Sequence, residues 1–231
     1  MNATRGSLGP AMDAGRPARF GPQIYSHLKE QLLAGVYECG SKLNVNDIRE
    51  EFGTSRHPVL DALRMLDNDG LVEVLPQVGC RVKVYEPADV EDFFTLFGGI
   101  EGMVAGMAAT RRNAEQVDRL NALLTPLPGA ESESAAEVYK SMNGLFHGIV
   151  HDMAASPIIN ETCSRHWDLA DFMVNTVGGI SSIAGSLDER LQAHRDIASA
   201  IEAGDAVRAA QAAEDHVSQS TRAIVASVRS R

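Results

Sequence analysis

Several features that mark other protein classes are missing from this 231-residue chain. It has only three cysteines, Cys39, Cys80 and Cys163, far apart and without a C-x-x-C pair. That odd number and spacing exclude a disulfide scaffold and a thiolate zinc site, so all three are read as small hydrophobes. No uninterrupted apolar run reaches the roughly 18 residues needed to span a bilayer, and a membrane-spanning protein is not expected. The first twenty residues mix Gly, Pro, Asp and Arg with no apolar stretch of signal-peptide length. They are expected to form a loose arm, and the protein to stay cytoplasmic. There is no repeat at a 20–50-residue period, which excludes solenoids and propellers.

An excess of positive charge is also lacking. The net charge of −10 argues at first against a nucleic-acid partner. Its distribution changes that inference. Residues 1–85 hold ten Lys/Arg against ten Asp/Glu, whereas residues 86–231 hold eleven against twenty-one. The whole negative excess lies in the second part.

The two parts also differ in periodicity. Ile24, Leu28, Leu32 and Leu33 recur at helical spacing from Pro22 to Ala34, and Gly35 supplies an end. Gly40-Ser41-Lys42-Leu43 reads as a turn, followed by a short helix capped by Asn44 or Asn46 and closed by Gly53. Ser55 offers the N-cap of a third helix with Pro58 in its first turn and Val59, Leu60, Leu63 and Leu66 as its stripe. Residues 71–75 and 80–84 then alternate as two strands around a Pro76-Gln77-Val78-Gly79 turn. Three helices and a β-ribbon spell a winged helix-turn-helix over residues 21–85, whose third helix enters a DNA major groove. From Pro87 strand signals vanish. Six helices are expected at 88–111, 115–126, 135–153, 157–178, 187–203 and 205–229, packed as an antiparallel bundle. Breakers separate them at 125–129, Ser156-Pro157, Gly178-Gly179 and Gly204-Asp205. The fold class is therefore mainly α: a winged helix-turn-helix followed by an all-α bundle over 86–231.

The first part resembles the DNA-binding domain of the GntR family of bacterial transcription regulators. The residues that carry the resemblance are Gly35, Gly40 and Leu43, then Ser55-Arg56-x-Pro58-Val59, Ala62-Leu63-x-x-Leu66 and Asp69-Gly70-Leu71-Val72. The remainder resembles the FadR-like branch with its FCD ligand-binding domain, through Phe146-His147 and the paired His194 and His216. Two departures stand out. The family's usual Pro before the turn glycine is Cys39, and the Arg-Glu that follows Pro-Val, whose Arg often reads a guanine, is Leu60-Asp61. The resemblance implies a homodimer on a palindromic double-stranded DNA operator and a small-molecule effector that more often releases DNA than promotes binding. The residue type and position of Ser55 at a helix N-terminus favour a phosphate, and Arg56 reaches a phosphate or guanine edge. His57 and Arg64 follow on the same helix, and family usage adds Asn46 and the wing-tip Gly79.

Asn143 and His147 lie four residues apart and share a helix face. His194 and His216 each sit about ten residues from the Gly204-Asp205 turn, hence at a similar height on antiparallel neighbours. Three imidazoles and an oxygen ligand inside a bundle suit a divalent metal, Zn or Ni. In FCD domains this constellation holds a metal that coordinates a carboxylate of the effector. His151 and His166, without matching partners, are read as satisfied core or surface residues. FCD domains also often place an effector-pairing Arg four residues before the Glu matching Glu101. Here that position is Phe97, which points to a larger, less charged or single-carboxylate ligand in a pocket that includes Phe97, Glu101 and Trp167. Gly98, Gly102 and Gly106 serve close helix packing rather than phosphate binding. Two rival functions are a metal-dependent enzyme and a metal sensor without an organic effector. Against the enzyme, no carboxylate adjoins the three histidines in sequence as a general base.

Overall fold

The computed structural model describes residues 20–75, 79–125, 135–178 and 187–229. The N-terminal arm through residue 19, the wing tip at 76–78 and the breakers at 126–129 and Gly179 lie outside the described residues. Helix α1 (Phe20–Leu33) buries Ile24, Leu28 and Leu32, spaced by four. Helix α2 (Val45–Glu51) is capped by Asn44, whose side chain accepts the amide of Asn46. Helix α3 (Arg56–Asn68) turns Val59, Ala62, Leu63 and Leu66 inward. The ribbon is β2 (Val72–Leu75) against β3 (Gly79–Val82), antiparallel, with Glu73 opposite Arg81. One expectation is corrected. Lys42 and Leu43, read as part of a turn, form a short strand β1 that pairs with β3, giving a three-stranded sheet of order β1-β3-β2.

The bundle comprises α4 (Pro87–Arg111), α5 (Ala114–Leu123), α6 (Ala135–Ala154), α7 (Pro157–Phe172), α8 (Leu187–Ala203) and α9 (Ala206–Arg229). Proline opens α4 and α7, where its missing N–H costs no helical bond. Helix α4 is long and apolar enough by composition to cross a bilayer, a point that counting uninterrupted apolar residues overlooked. Half of that apolar window is buried inside the protein, as in a core helix. Helices α4 and α9 touch along their length because small residues line the seam. A Cβ on Gly102 would come within 3.0 Å of the Ala210 carbonyl oxygen, and one on Gly106 within 3.1 Å of that of Ala206.

Helix α7 does not end where α-helical bonding ends. It continues as a π-helical turn over Met173–Gly178, which lies against the C-terminus of α1. There the Asn175 amide donates to the Leu33 carbonyl at 2.8 Å, and the Thr176 hydroxyl to that of Leu32 at 2.7 Å. These groups satisfy carbonyls that a helix end otherwise leaves without partners. Lys29 pairs with Asp168 at 2.6 Å, and Arg165 donates to the Asn68 carbonyl at 2.9 Å. One apolar core continues across the junction, from Leu28 and Leu66 to Phe94, Phe172 and Val217.

Candidate metal centre and DNA-binding face

His147 on α6, His194 on α8 and His216 on α9 come together in the bundle interior, each at most 5% exposed. One nitrogen from each lies within 4.8 Å of the others. The antiparallel α8–α9 pair sets His194 and His216 side by side, with ring centroids 4.4 Å apart. Both ring nitrogens of His194 and Nδ1 of His216 are buried without a hydrogen-bond partner. Unmet polar atoms in a core cost on the order of 1–3 kcal/mol each, so a cluster of them calls for a ligand. Burial first, and then the neighbouring imidazoles and Arg190, hold His194 far below the ordinary histidine range. Burial, His147 and Arg190 likewise push His216 down to about 3, against an opposing pull from Glu101. Both rings are therefore neutral at physiological pH, the state in which imidazole donates a lone pair to a metal. The donor set fits a divalent ion of zinc or nickel type.

Asn143 lies one turn before His147, half-buried, and its side-chain oxygen accepts the Tyr139 hydroxyl at 3.2 Å. Tyr139 in turn lies 5.8 Å from the His194 ring.

Sequence spacing did not reveal what lies behind the cluster. Glu101, 2% exposed on α4, accepts from His147 Nδ1 at 3.0 Å, His151 Nε2 at 2.8 Å and the Trp167 indole at 3.0 Å. Burial alone would raise its pKa, but the bonds and charges of the two histidines outweigh that and lower it to about 2. An ionised Glu101 holds the proton on Nδ1 of His147 and leaves the Nε2 lone pair free. A carboxylate does adjoin the imidazoles, brought in by folding rather than by sequence. His151 is a satisfied core residue, as expected, although its partner is the site's own Glu101. His166 bonds its own helix through the Thr162 carbonyl. Phe97 packs edge-on to Trp167 at 5.2 Å and stacks on Phe93, so it joins the aromatic wall behind Glu101.

Asn46, Ser55, Arg56, His57, Arg64 and Gly79 are all solvent-exposed on the N-terminal part. Ser55 occupies the N-cap position of α3 with no side-chain capping bond, which leaves its hydroxyl available. Asp61, the departure noted above, sits between two of these residues, 3.3 Å from Arg64 and 3.7 Å from His57. Across the ribbon Arg81 pairs with Glu73 at 2.6 Å.

Comparison with known proteins agrees with this architecture. Residues 21–82 match the model of the bacterial regulatory proteins of the gntR family, and residues 92–219 match that of the FCD domain. The chain is similar to the "Probable D-xylose utilization operon transcriptional repressor" of Paenarthrobacter nicotinovorans, with 26% identity over 84% of each chain. It is also 26% identical to the HTH-type transcriptional repressor RspR of Escherichia coli, over 87% of this chain and 89% of that one. Among solved structures, E. coli McbR/YncC shares the fold at a TM-score of 0.71 and 20% identity, covering 90% of this chain and 97% of its own. The family and the two repressors are regulators rather than enzymes, and this chain is a DNA-binding transcriptional regulator of the GntR family with a C-terminal FCD domain.

Proposed function

We propose that the protein is a ligand-responsive repressor that acts as a homodimer. Its buried His147, His194 and His216 hold a divalent metal, Zn or Ni, with Asn143 as the oxygen donor nearest in the chain. The observation that carries this reading is the set of buried ring nitrogens without partners on His194 and His216. The metal, when bound, supplies a Lewis-acidic position for a carboxylate of a small organic acid. The protein's own residues do the rest. Glu101 orients His147, the Phe97–Trp167 wall excludes water, and Tyr139 orients Asn143.

On the DNA side, α3 lies in the major groove with Ser55 and Arg56 at its N-terminus, His57 and Arg64 along it, Asn46 from α2, and the wing at Gly79 beside the minor groove. Two copies read half-sites about 34 Å apart or a multiple of that. The effector favours one arrangement of the bundle, which alters the separation of the two recognition helices. The names of the two curated relatives, both repressors, favour repression.

The test is operator selection from a random duplex pool followed by anisotropy titration of the zinc-loaded and chelator-treated protein. A preferred palindrome whose affinity shifts with metal and a carboxylate supports the reading. Binding without sequence preference in every condition overturns it.

A further inference from the structure

Arg190 is a buried charge with no opposite charge beside it among the described residues. It is 6% exposed on α8, and no aspartate or glutamate among the described residues pairs with it. Its Nη1 donates to the Ser220 hydroxyl at 3.1 Å, and its guanidinium lies 5.7 Å from the centre of the Tyr139 ring. Its Nε is fully buried and donates to nothing. Leaving a charge in that state is among the most costly arrangements a core tolerates, and it calls for an anion.

Its position says which anion. Arg190 precedes His194 by one turn on α8, and Ser220 follows His216 by one turn on α9. In an antiparallel pair these residues form the layer beside the imidazoles, about 6 Å along the helix axes. Tyr139 bridges the layers, 5.8 Å from the His194 ring on one side and facing the guanidinium on the other. Ser220 spends its proton on the His216 carbonyl at 3.3 Å, so its lone pair faces Arg190 and Nε remains free for a guest.

We infer that Arg190 is the second anchor of the effector: the protein takes a small organic acid bearing two anionic groups, one for the metal and one for the Arg190 guanidinium. This rests on the three-imidazole reading above, and it reverses the expectation of a single-carboxylate ligand drawn from Phe97. The second group is a carboxylate or a phosphate, the two oxyanions that guanidinium recognises.

The experiment is isothermal titration of the zinc-loaded full chain with acetate, malonate, succinate, glutarate and 2-phosphoglycolate, on the natural protein and on Arg190→Gln. At least one dianion is expected to bind roughly ten- to a hundredfold more tightly than acetate. The carboxylate and phosphate arms identify the second group. Arg190→Gln erases that margin while acetate and zinc still bind. Arg190→Met, which keeps the packed stem, is expected to melt no earlier than the natural protein without ligand, whereas an arginine with only a structural role would lower the melting temperature when replaced. Equal affinity for acetate and every dianion, or a margin that survives in Arg190→Gln, overturns the inference. Failure of the natural protein to bind zinc overturns the metal reading instead. Arg190 is then judged on the metal-free chain with inorganic phosphate, where a rise in melting temperature lost in Arg190→Gln supports the anion site and no rise in either protein rejects it.

Discussion

Glu101 carries a negative charge 2% exposed to solvent, and it persists because three N–H donors surround it. Replacing it with Gln keeps the shape and removes the charge that fixes the His147 tautomer. Such outer partners typically control metal affinity by about 10- to 100-fold. Glu101→Gln is therefore expected to weaken zinc by that order in competition titrations against a chromogenic chelator, with the helical circular dichroism unchanged. Unchanged affinity would assign Glu101 to packing alone. On the DNA face, Asp61 pairs with Arg64 and lies beside His57, both of which are largely exposed. Asp61→Asn is expected to raise operator affinity several-fold and to steepen its salt dependence, since a phosphate-repelling charge goes and a cation is released. A salt series by anisotropy checks both, and a loss of affinity would place Asp61 among the groups that read bases. His194 and His216 were legible in sequence as a pair because helical register and one short turn predict their common height, whereas His147 joined them through the family resemblance. Glu101 was not legible as their partner. It lies 46 residues from His147, and only the packing of α4 on α6 brings them together. Arg190 escaped for a related reason, since an arginine is unpaired only relative to everything folded around it.

Helix α7 is the element that reaches both sites. Trp167 bonds Glu101 behind the imidazoles, Asp168 pairs with Lys29, and Asn175 and Thr176 hold the end of α1. A shift of α7 at Trp167 would thereby reach α1 and the DNA-binding part through these side chains. Thr176→Val combined with Asn175→Leu is expected to leave metal affinity intact while reducing the effect of metal and effector on operator affinity. Full retention of that effect would move the coupling to another route. Gly35 tests the junction independently. Its φ of 75° disfavours any side chain, and a Cβ there would lie 2.8 Å from the Asn175 carbonyl oxygen. Gly35→Ala should lower stability by about 1–3 kcal/mol in urea denaturation. The six bundle helices fell close to their sequence-based limits because Pro, Gly and Asn mark their ends. Strand β1 was hidden because two residues carry no periodicity, and it exists only through pairing with β3. The π-helical turn was likewise invisible, since hydrogen bonds to a helix 142 and 144 residues away in sequence accompany it.

For the molecule as a whole, charge separation matters more than the total of −10. Residues 1–85 are neutral overall and the bundle repels phosphate, so affinity for random duplex should be weak and two half-sites are needed for tight binding. Sedimentation of the 24.8 kDa chain is accordingly expected to give twice that mass at micromolar concentration. A monomer on a full palindrome would contradict the homodimer. Everything on the ligand side depends on the ion, which makes its presence the most direct test. That measurement is metal content by elemental mass spectrometry on the untagged full chain and on His194→Ala, before and after reconstitution with zinc and nickel. The account predicts close to one divalent ion per natural chain and its loss in His194→Ala. No bound metal in the natural protein after reconstitution would contradict it.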